Sequence, residues 1–342
     1  MLRFGLLALA GLLFLPLIAT TPLADYQFAT LSETYSEIST GTLLGNSGND
    51  DERFVAPSSP GGGTITTGPG FPIGFEFSFA GESFDRLAVN TNGWIALGQS
   101  ALGNAAVNIS SSSHYSPLES TVSISPDILV SRIAALARDL QANPGASLLL
   151  STTGSAPNRH CLVQWKHYRK KGSTGSGDSF NFQIRLHETS NIIDFVYGTM
   201  TNNANSATIR IGLRGAPSSA ASNYVNRTGG GNWLETIAGS SAGTTYTLSS
   251  TNFPPSGTVF RYSPPKAVTV LDMVEPIITE LEGQIELAWQ PVSGANSYQI
   301  YVSDLPDDGF VYLLSTGNLQ VYLSTGARQR FYRVIASTET LP

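Results

Sequence analysis

The sequence predicts an all-β protein: a large β-sandwich or jelly-roll-like domain followed by a small immunoglobulin-like β-sandwich. Three observations predict it. Charged residues make up only 13% of the chain, against about 25% in an ordinary soluble domain, too few to furnish the surfaces of long helices. Glycine is abundant at 34 residues, and Ser, Thr and Asn crowd the connections, which suits short strands joined by tight turns. Apolar residues also recur with a period of two in segment after segment, the spacing of half-buried strands.

The first element is not part of the fold. Arg3 precedes the apolar run Phe4–Ala19, "FGLLALAGLLFLPLIA", which gives way to "TTPLADYQF". A positive start, a short apolar core and small residues after it predict a secretory signal peptide over residues 1–24, cut between Ala19 and Ala24. The run is short for a membrane span and Pro16 interrupts it, so a retained anchor is the lesser alternative. No cysteine lies near the cut, which argues against a lipoprotein. The mature chain is expected to be secreted or displayed on the outer cell surface, with no membrane insertion.

Residues 25–262 read as the large sandwich. "FPIGFEFSF" puts Phe71, Ile73, Phe75, Phe77 and Phe79 on one face. "GESFDRLAV" and "WIALG" follow as two strands around the turn "NTNG". "SFNFQIRL" aligns Phe180, Phe182, Ile184 and Leu186, and "IIDFVYG" aligns Ile193, Phe195 and Tyr197, with Asn191 turning between them. "DILVSRIAALARDL" (Asp127–Leu140) is ambiguous: its composition suits a short helix capped by Asp127, or its second half is a buried strand. Pro264-Pro265 cannot continue a central strand and opens a linker over 263–275. Beyond it, 276–338 starts a new alternating set, with Ile285, Leu287 and Trp289 on one face.

That last part resembles a fibronectin type III module. The resemblance rests on "IELAWQPVSGANSYQIYVSD", "GFVYLLST" and "QRFYRVIAS", with Trp289 at the core tryptophan position and Tyr332 at the late-strand tyrosine position. The chain departs from the pattern after "FYRVIAS": the usual last strand is missing. This leaves either an open sheet edge or an edge covered by "AVTVLDMV" from the linker. The larger part resembles the N-terminal β-sandwich modules of secreted Gram-negative proteins and, more distantly, nidogen-like extracellular domains. It does so through "FPIGFEFSFAGESFDRLAVNTNGWIALG", "RIAALARDL" and "GSAPNRHCLVQWKHYR" followed by "FNFQIRLHETSNIIDFVYG". The resemblance implies an extracellular location, and it implies that "RIAALARDL" is a buried strand with Asp139 at its end.

Candidate chemistry concentrates in "HCLVQWKHYRKKGSTGSGDSFNFQIRL" (His160–Leu186), which holds the single cysteine. One cysteine in an exported chain cannot form an internal disulfide. His160 and Cys161 are neighbours, and neighbours on a strand face opposite ways, so they cannot make a thiolate–imidazole pair. Cys161, Val163 and Trp165 alternate together as core residues. If Trp165 and Phe182 share the core side, one hairpin register sets His160 opposite His187, the start of a zinc site that lacks a third ligand. Lys166, Arg169, Lys170 and Lys171 form a basic run expected to solubilise a strand end, with contact to an anionic polysaccharide as the alternative.

The carboxylates of "NDDERF" (Asn49–Phe54) and "SDLPDDGF" (Ser303–Phe310) are expected to be solvated turns, since neither has the ligand spacing of a calcium loop. "GGGTITTGPG" lacks the Lys-Ser/Thr of a phosphate loop, and no nucleophile elbow or "HExxH" is present. No catalytic residue, metal or cofactor is expected. The net charge of −6 gives no sign of a nucleic-acid partner. The leading expectation is therefore a non-catalytic binding or adhesion protein that contacts polysaccharide or an extracellular protein. Tyr224 and Trp233 of "NYVNRTGGGNW" are its candidate ligand-binding rings. The alternatives are a structural module joined through the C-terminal sheet edge, and an orphan hydrolase, because paired acids can lie far apart in sequence.

Overall fold

The computed structural model describes residues 23–46, 50–55, 65–110, 116–118, 130–203, 206–215, 223–229, 232–239, 244–265, 270–306, 308–324 and 330–338. The proposed signal peptide lies almost wholly outside them, as does Asp127. Among the described residues no helix is long and apolar enough to cross a membrane, and the only helical pieces are short 3-10 turns. The protein is all-β, and the chain divides into two compact units at Pro265/Lys266.

The first unit is a two-sheet sandwich. One sheet has seven strands, in the order Gln27–Ser32, Thr258–Ser263, Ile193–Tyr197, Phe180–His187, His160–Lys170, Leu140–Thr153 and Thr42–Asn46. The other runs Ile237–Gly239, Tyr224–Thr228, Ala207–Arg214, Arg132–Ala137, Trp94–Gly98, Glu82–Asn90 and Arg53–Phe54, with Phe71–Phe79 added on Glu82–Asn90 and Tyr246–Leu248 on Ala207–Arg214. The alternation read in Phe71–Phe79 is realised residue by residue: every phenylalanine and Ile73 are buried, and the residues between them are exposed. These side chains join Trp165, Phe182, Ile184, Phe195 and Tyr197 in one core between the sheets. Two inner apolar faces thus interlock, the arrangement a sandwich requires.

The ambiguous segment resolves as a strand: Arg132–Ala137 is extended and buried at every position. It lies between Trp94–Gly98 and Ala207–Arg214. A helix there would have left the facing edge of each neighbour without hydrogen bonds, so sheet pairing overrides local composition. The "NTNG" turn is a turn, but a buried one. Asn90, Thr91 and Asn92 are fully inaccessible. Asn92 Oδ1 accepts from the Leu140 amide at 2.7 Å, and the Gly93 carbonyl accepts from the Ala135 and Leu136 amides. Gly93 has φ +83, and a Cβ there would meet the Leu136 carbonyl oxygen at 2.1 Å. Only glycine fits both demands.

The second unit holds a four-stranded sheet, in the order Val270–Val274, Phe331–Ser337, Ser297–Ser303 and Val311–Thr316, and a three-stranded sheet of Ile277–Leu281, Gln284–Ala288 and Gln320–Ser324. Leu287, Trp289, Tyr298, Ile300, Val334 and Ala336 form its core. Of the two possibilities open for the missing last strand, the structure takes the second: Val270–Val274 pairs antiparallel along Phe331–Ser337. The stretch read as a linker therefore contains a sheet strand. The expectation of an open edge at the C-terminal strand is overturned, because Phe331–Ser337 has a hydrogen-bonded neighbour on each side.

Candidate functional site

The hairpin of His160–Lys170 and Phe180–His187 is built as its alternation demands. Trp165 stands opposite Phe182, and their rings stack 5.0 Å apart at 11°. The indole N–H donates to the Asn90 carbonyl across the sandwich at 3.1 Å. Cys161 is buried with them, and burial pushes its thiol up to about 12. A thiol in that state supplies no thiolate at neutral pH, so Cys161 is a small core residue.

The same register sets His160 directly opposite His187 on the outer face, with the rings edge to face at 4.6 Å. Around them the chain builds an ion network. His187 Nε2 lies 2.8 Å from Asp194 Oδ2, and Arg261 donates to both Asp194 oxygens at 2.8 and 2.7 Å. Burial works to raise the Asp194 carboxyl, but the hydrogen bonds from Arg261 and His187 outweigh it and hold the group below the usual carboxylate range. His160 is lowered, first by burial and then by the neighbouring His187. Next to this network the segment Glu33–Ile38 lies over the sheet. Gln164 and Gln183 are fully buried beneath it, and they bind the Ile38 amide and the Ser36 carbonyl at 2.8 and 2.7 Å. This part of the sheet is therefore not a free flat surface.

The basic run is engaged within the chain. Lys166 pairs with Glu37 at 2.6 Å, Lys170 with Asp178 at 3.6 Å, and Lys171 with Asp50 and Asp51 at 2.8 and 3.5 Å. Arg169 donates to the Ala142 carbonyl and to Asn143, Gln141 and Thr174 side chains. Asp50 and Asp51 of "NDDERF" meet Asp139 there, the only described trio of His, Cys, Asp or Glu whose ligand atoms lie within 4.8 Å of one another. The ammonium of Lys171 already sits on this cluster. In "SDLPDDGF" the Asp308 carboxylate accepts from the Gly309 amide at 2.7 Å, an ordinary turn contact.

A cleft opens beside the basic run, at the end of the hairpin. It encloses about 700 Å³ and is lined by Asn143, Pro144, His167, Arg169, Thr174 and Asp178, among others. A β-bulge between Trp165 and Tyr168 turns His167 toward it. His167 takes a left-handed φ of +60, and its Nδ1 lies 2.8 Å from Ser179 Oγ. A non-glycine residue held in that conformation at a bulge marks a position worth testing for function.

The loop predicted to offer aromatic rings to a ligand does otherwise. Trp233 is 2% exposed, stacks on Tyr246 at 4.3 Å and packs against Tyr197 and Phe260. Tyr224 is also 2% exposed, beneath the Arg214 guanidinium. The picture of two exposed stacking rings is corrected: both rings are buried, Trp233 in the core and Tyr224 against Arg214, because removing an aromatic ring from water outweighs leaving it solvated. Sequence reasoning passed over His167, Asn143 and Asp178, because only the bulge and the sheet register bring them to one cleft.

The profile of the family described as NIDO related matches residues 25–264. The chain belongs to the NIDO-related family. The match spans both sheets of the sandwich and stops at the double proline that ends the first unit. NIDO-related membership agrees with an extracellular module and identifies no partner. No curated protein and no solved structure matches the chain.

Proposed function

We propose that this NIDO-related chain is a secreted or cell-surface binding protein without catalytic activity, and that it contacts polysaccharide or an extracellular protein. The observation that carries the reading is the cleft of about 700 Å³ at the hairpin end. Its size suits a short oligosaccharide or a peptide side-chain cluster. Its polar lining is already oriented by internal hydrogen bonds, so little ordering is needed on binding. The second unit, read as fibronectin type III-like, serves in this account as an appended extracellular module.

The test presents the exported chain, from about Asp25, to an array of polysaccharides and matrix proteins beside its His167→Ala variant. Specific binding that weakens at least tenfold in the variant supports the cleft. Binding that survives unchanged places the site elsewhere, and turnover of an arrayed polysaccharide would replace the reading with that of a hydrolase.

A second reading has its own observation. Val311–Thr316 is an edge strand on which Val311, Tyr312 and Leu313 are 61%, 57% and 39% exposed. Such an edge can accept a partner strand, which moves the assembly reading from the C-terminal strand to this one. Tyr312→Lys is expected to abolish self-association seen in sedimentation. Association unchanged in that variant would remove the assembly reading.

A further inference from the structure

The hairpin register carries one row of side chains past its last paired residues. Tyr168 stands opposite Phe180, so Lys170, two residues on, comes level with Asp178. Ser179 bridges Thr201 on its other side, which brings Asp178 level with Asn202. Lys170, Asp178 and Asn202 therefore meet, and they are 5%, 2% and 2% exposed. Lys170 Nζ donates to Asn202 Oδ1, and Asp178 Oδ2 stands 3.6 Å from the same nitrogen. The Phe180 ring centroid lies 6.0 Å from Nζ, and Met200 is in the core beside it. Asp178 is fixed from two directions: its Oδ1 accepts from the Asn203 amide at 2.7 Å, and its carbonyl accepts from the Asn143 side chain at 2.8 Å. Asn202 Nδ2 is buried and has no hydrogen-bond partner among the described residues.

A buried ion pair accounts for Lys170 and Asp178. It does not account for a carboxamide as the amine's other acceptor, because that choice leaves an N–H2 group buried and unbonded, a cost that a backbone carbonyl would avoid. Burial lowers the Lys170 ammonium from its ordinary value, against the opposing pull of Asp178. In apolar surroundings the pair gains by passing one proton from the ammonium to the carboxylate, since two neutral groups need less solvation than two ions. The product is a free amine against a carboxamide, with a carboxylic acid beside both. Those are the nucleophile, the electrophile and the proton carrier of an amide exchange.

We propose that Lys170 and Asn202 join in an intramolecular isopeptide bond, formed with the help of Asp178. Nζ attacks Cγ of Asn202, and the Cγ–Nδ2 bond breaks. One Nζ proton travels through the Asp178 carboxyl to Nδ2, which leaves as ammonia. No oxidant or cofactor is consumed. The bond ties the end of the strand His160–Lys170 to the segment after Ile193–Tyr197 and encloses Phe180–His187 in a covalent loop. A chain with one cysteine thus gains a staple that reductants do not open. The inference does not rest on the binding reading: it is read from covalent mass, so either can fail without the other.

The experiment takes the purified exported chain, denatures it, and measures its intact mass and its tryptic map. The expected mass is about 17 Da below that of the sequence, the loss of one ammonia, with a branched peptide that joins Lys170 to Asn202. Lys170→Met removes the nucleophile and should show the full sequence mass. Asp178→Asn keeps the size of the side chain and should leave most of the chain unjoined, since general acid–base help is worth about a hundredfold or more. Protection of Cys161 from a thiol reagent shows that each variant folds. The joined wild type should also melt above both variants, because a covalent loop restricts the unfolded chain. A folded wild type at full sequence mass overturns the proposal. So does a loss of ammonia without the branched peptide, or joining as complete in Asp178→Asn as in wild type.

Discussion

At the scale of single residues, Trp165 shows how much one side chain can hold. It is fully buried, stacked on Phe182, and tied across the sandwich by its indole N–H. Trp165→Ala is expected to cost about 3–5 kcal/mol in urea unfolding, the range for large aromatic truncations; a loss below about 1 kcal/mol would mean the site collapses without penalty. Cys161 gives a chemical test of the same core. A thiol reagent should leave the native protein unlabelled and modify it fully in denaturant, and rapid native labelling would contradict a buried, protonated thiol. Asp194 adds a pH dependence with a definite sign. Its folded pKa lies below the ordinary 3.8, so the unfolded state binds more protons in that window. The stabilisation is complete above about pH 4 and is lost as pH falls through the folded value. Asp194→Asn should cost about 2–3 kcal/mol near pH 7, less than a fully buried pair, because 32% of the Arg261 side chain remains exposed. The gap between wild type and variant should narrow as pH falls through the folded value, and a gap constant with pH would show that the charge is not the cause.

At the scale of elements, the "NTNG" turn and the strand Arg132–Ala137 form one unit. The turn's carbonyl receives two amides of that strand, and its Asn92 side chain receives the amide of Leu140. Gly93→Ala forces a Cβ against the Leu136 carbonyl oxygen and should destabilise by more than about 2 kcal/mol, beyond the ordinary cost of alanine at positive φ. A thermal midpoint within a degree of wild type would show that the turn can shift. The turn was legible in the sequence because Asn and Gly are the residues that tolerate left-handed backbone. Its burial was not legible, since a polar turn normally lies in water. The strand was harder to read: Arg-Ile-Ala-Ala-Leu-Ala has no period-two contrast, because both of its faces are covered.

At the scale of the whole molecule, the strand Val270–Val274 decides where the second unit begins. A fragment of residues 266–342 contains it, and one of residues 276–342 lacks it. If that strand supplies the missing edge, the longer fragment should unfold cooperatively and stay soluble, while the shorter one exposes the Phe331–Ser337 edge and aggregates. Equal behaviour of the two would mean the pairing contributes little. The candidate sites also belong to this scale. The hairpin cleft joins residues near 143, 167 and 178.

The sequence by itself determined the all-β class, the Phe71–Phe79 face and the end of a strand before the double proline, and it allowed, among other registers, the one that pairs Trp165 with Phe182 and His160 with His187. Each follows from local rules: side chains alternate across a strand, and proline lacks the N–H that a central strand needs. Only the tertiary structure decided that Tyr224 and Trp233 are buried, that the basic run is answered by Glu37, Asp50, Asp51 and Asp178, and that the linker supplies a strand. Those outcomes depend on which distant segments meet. Burial and charge pairing are properties of the meeting of two sheets, and a one-dimensional pattern of residues does not contain them.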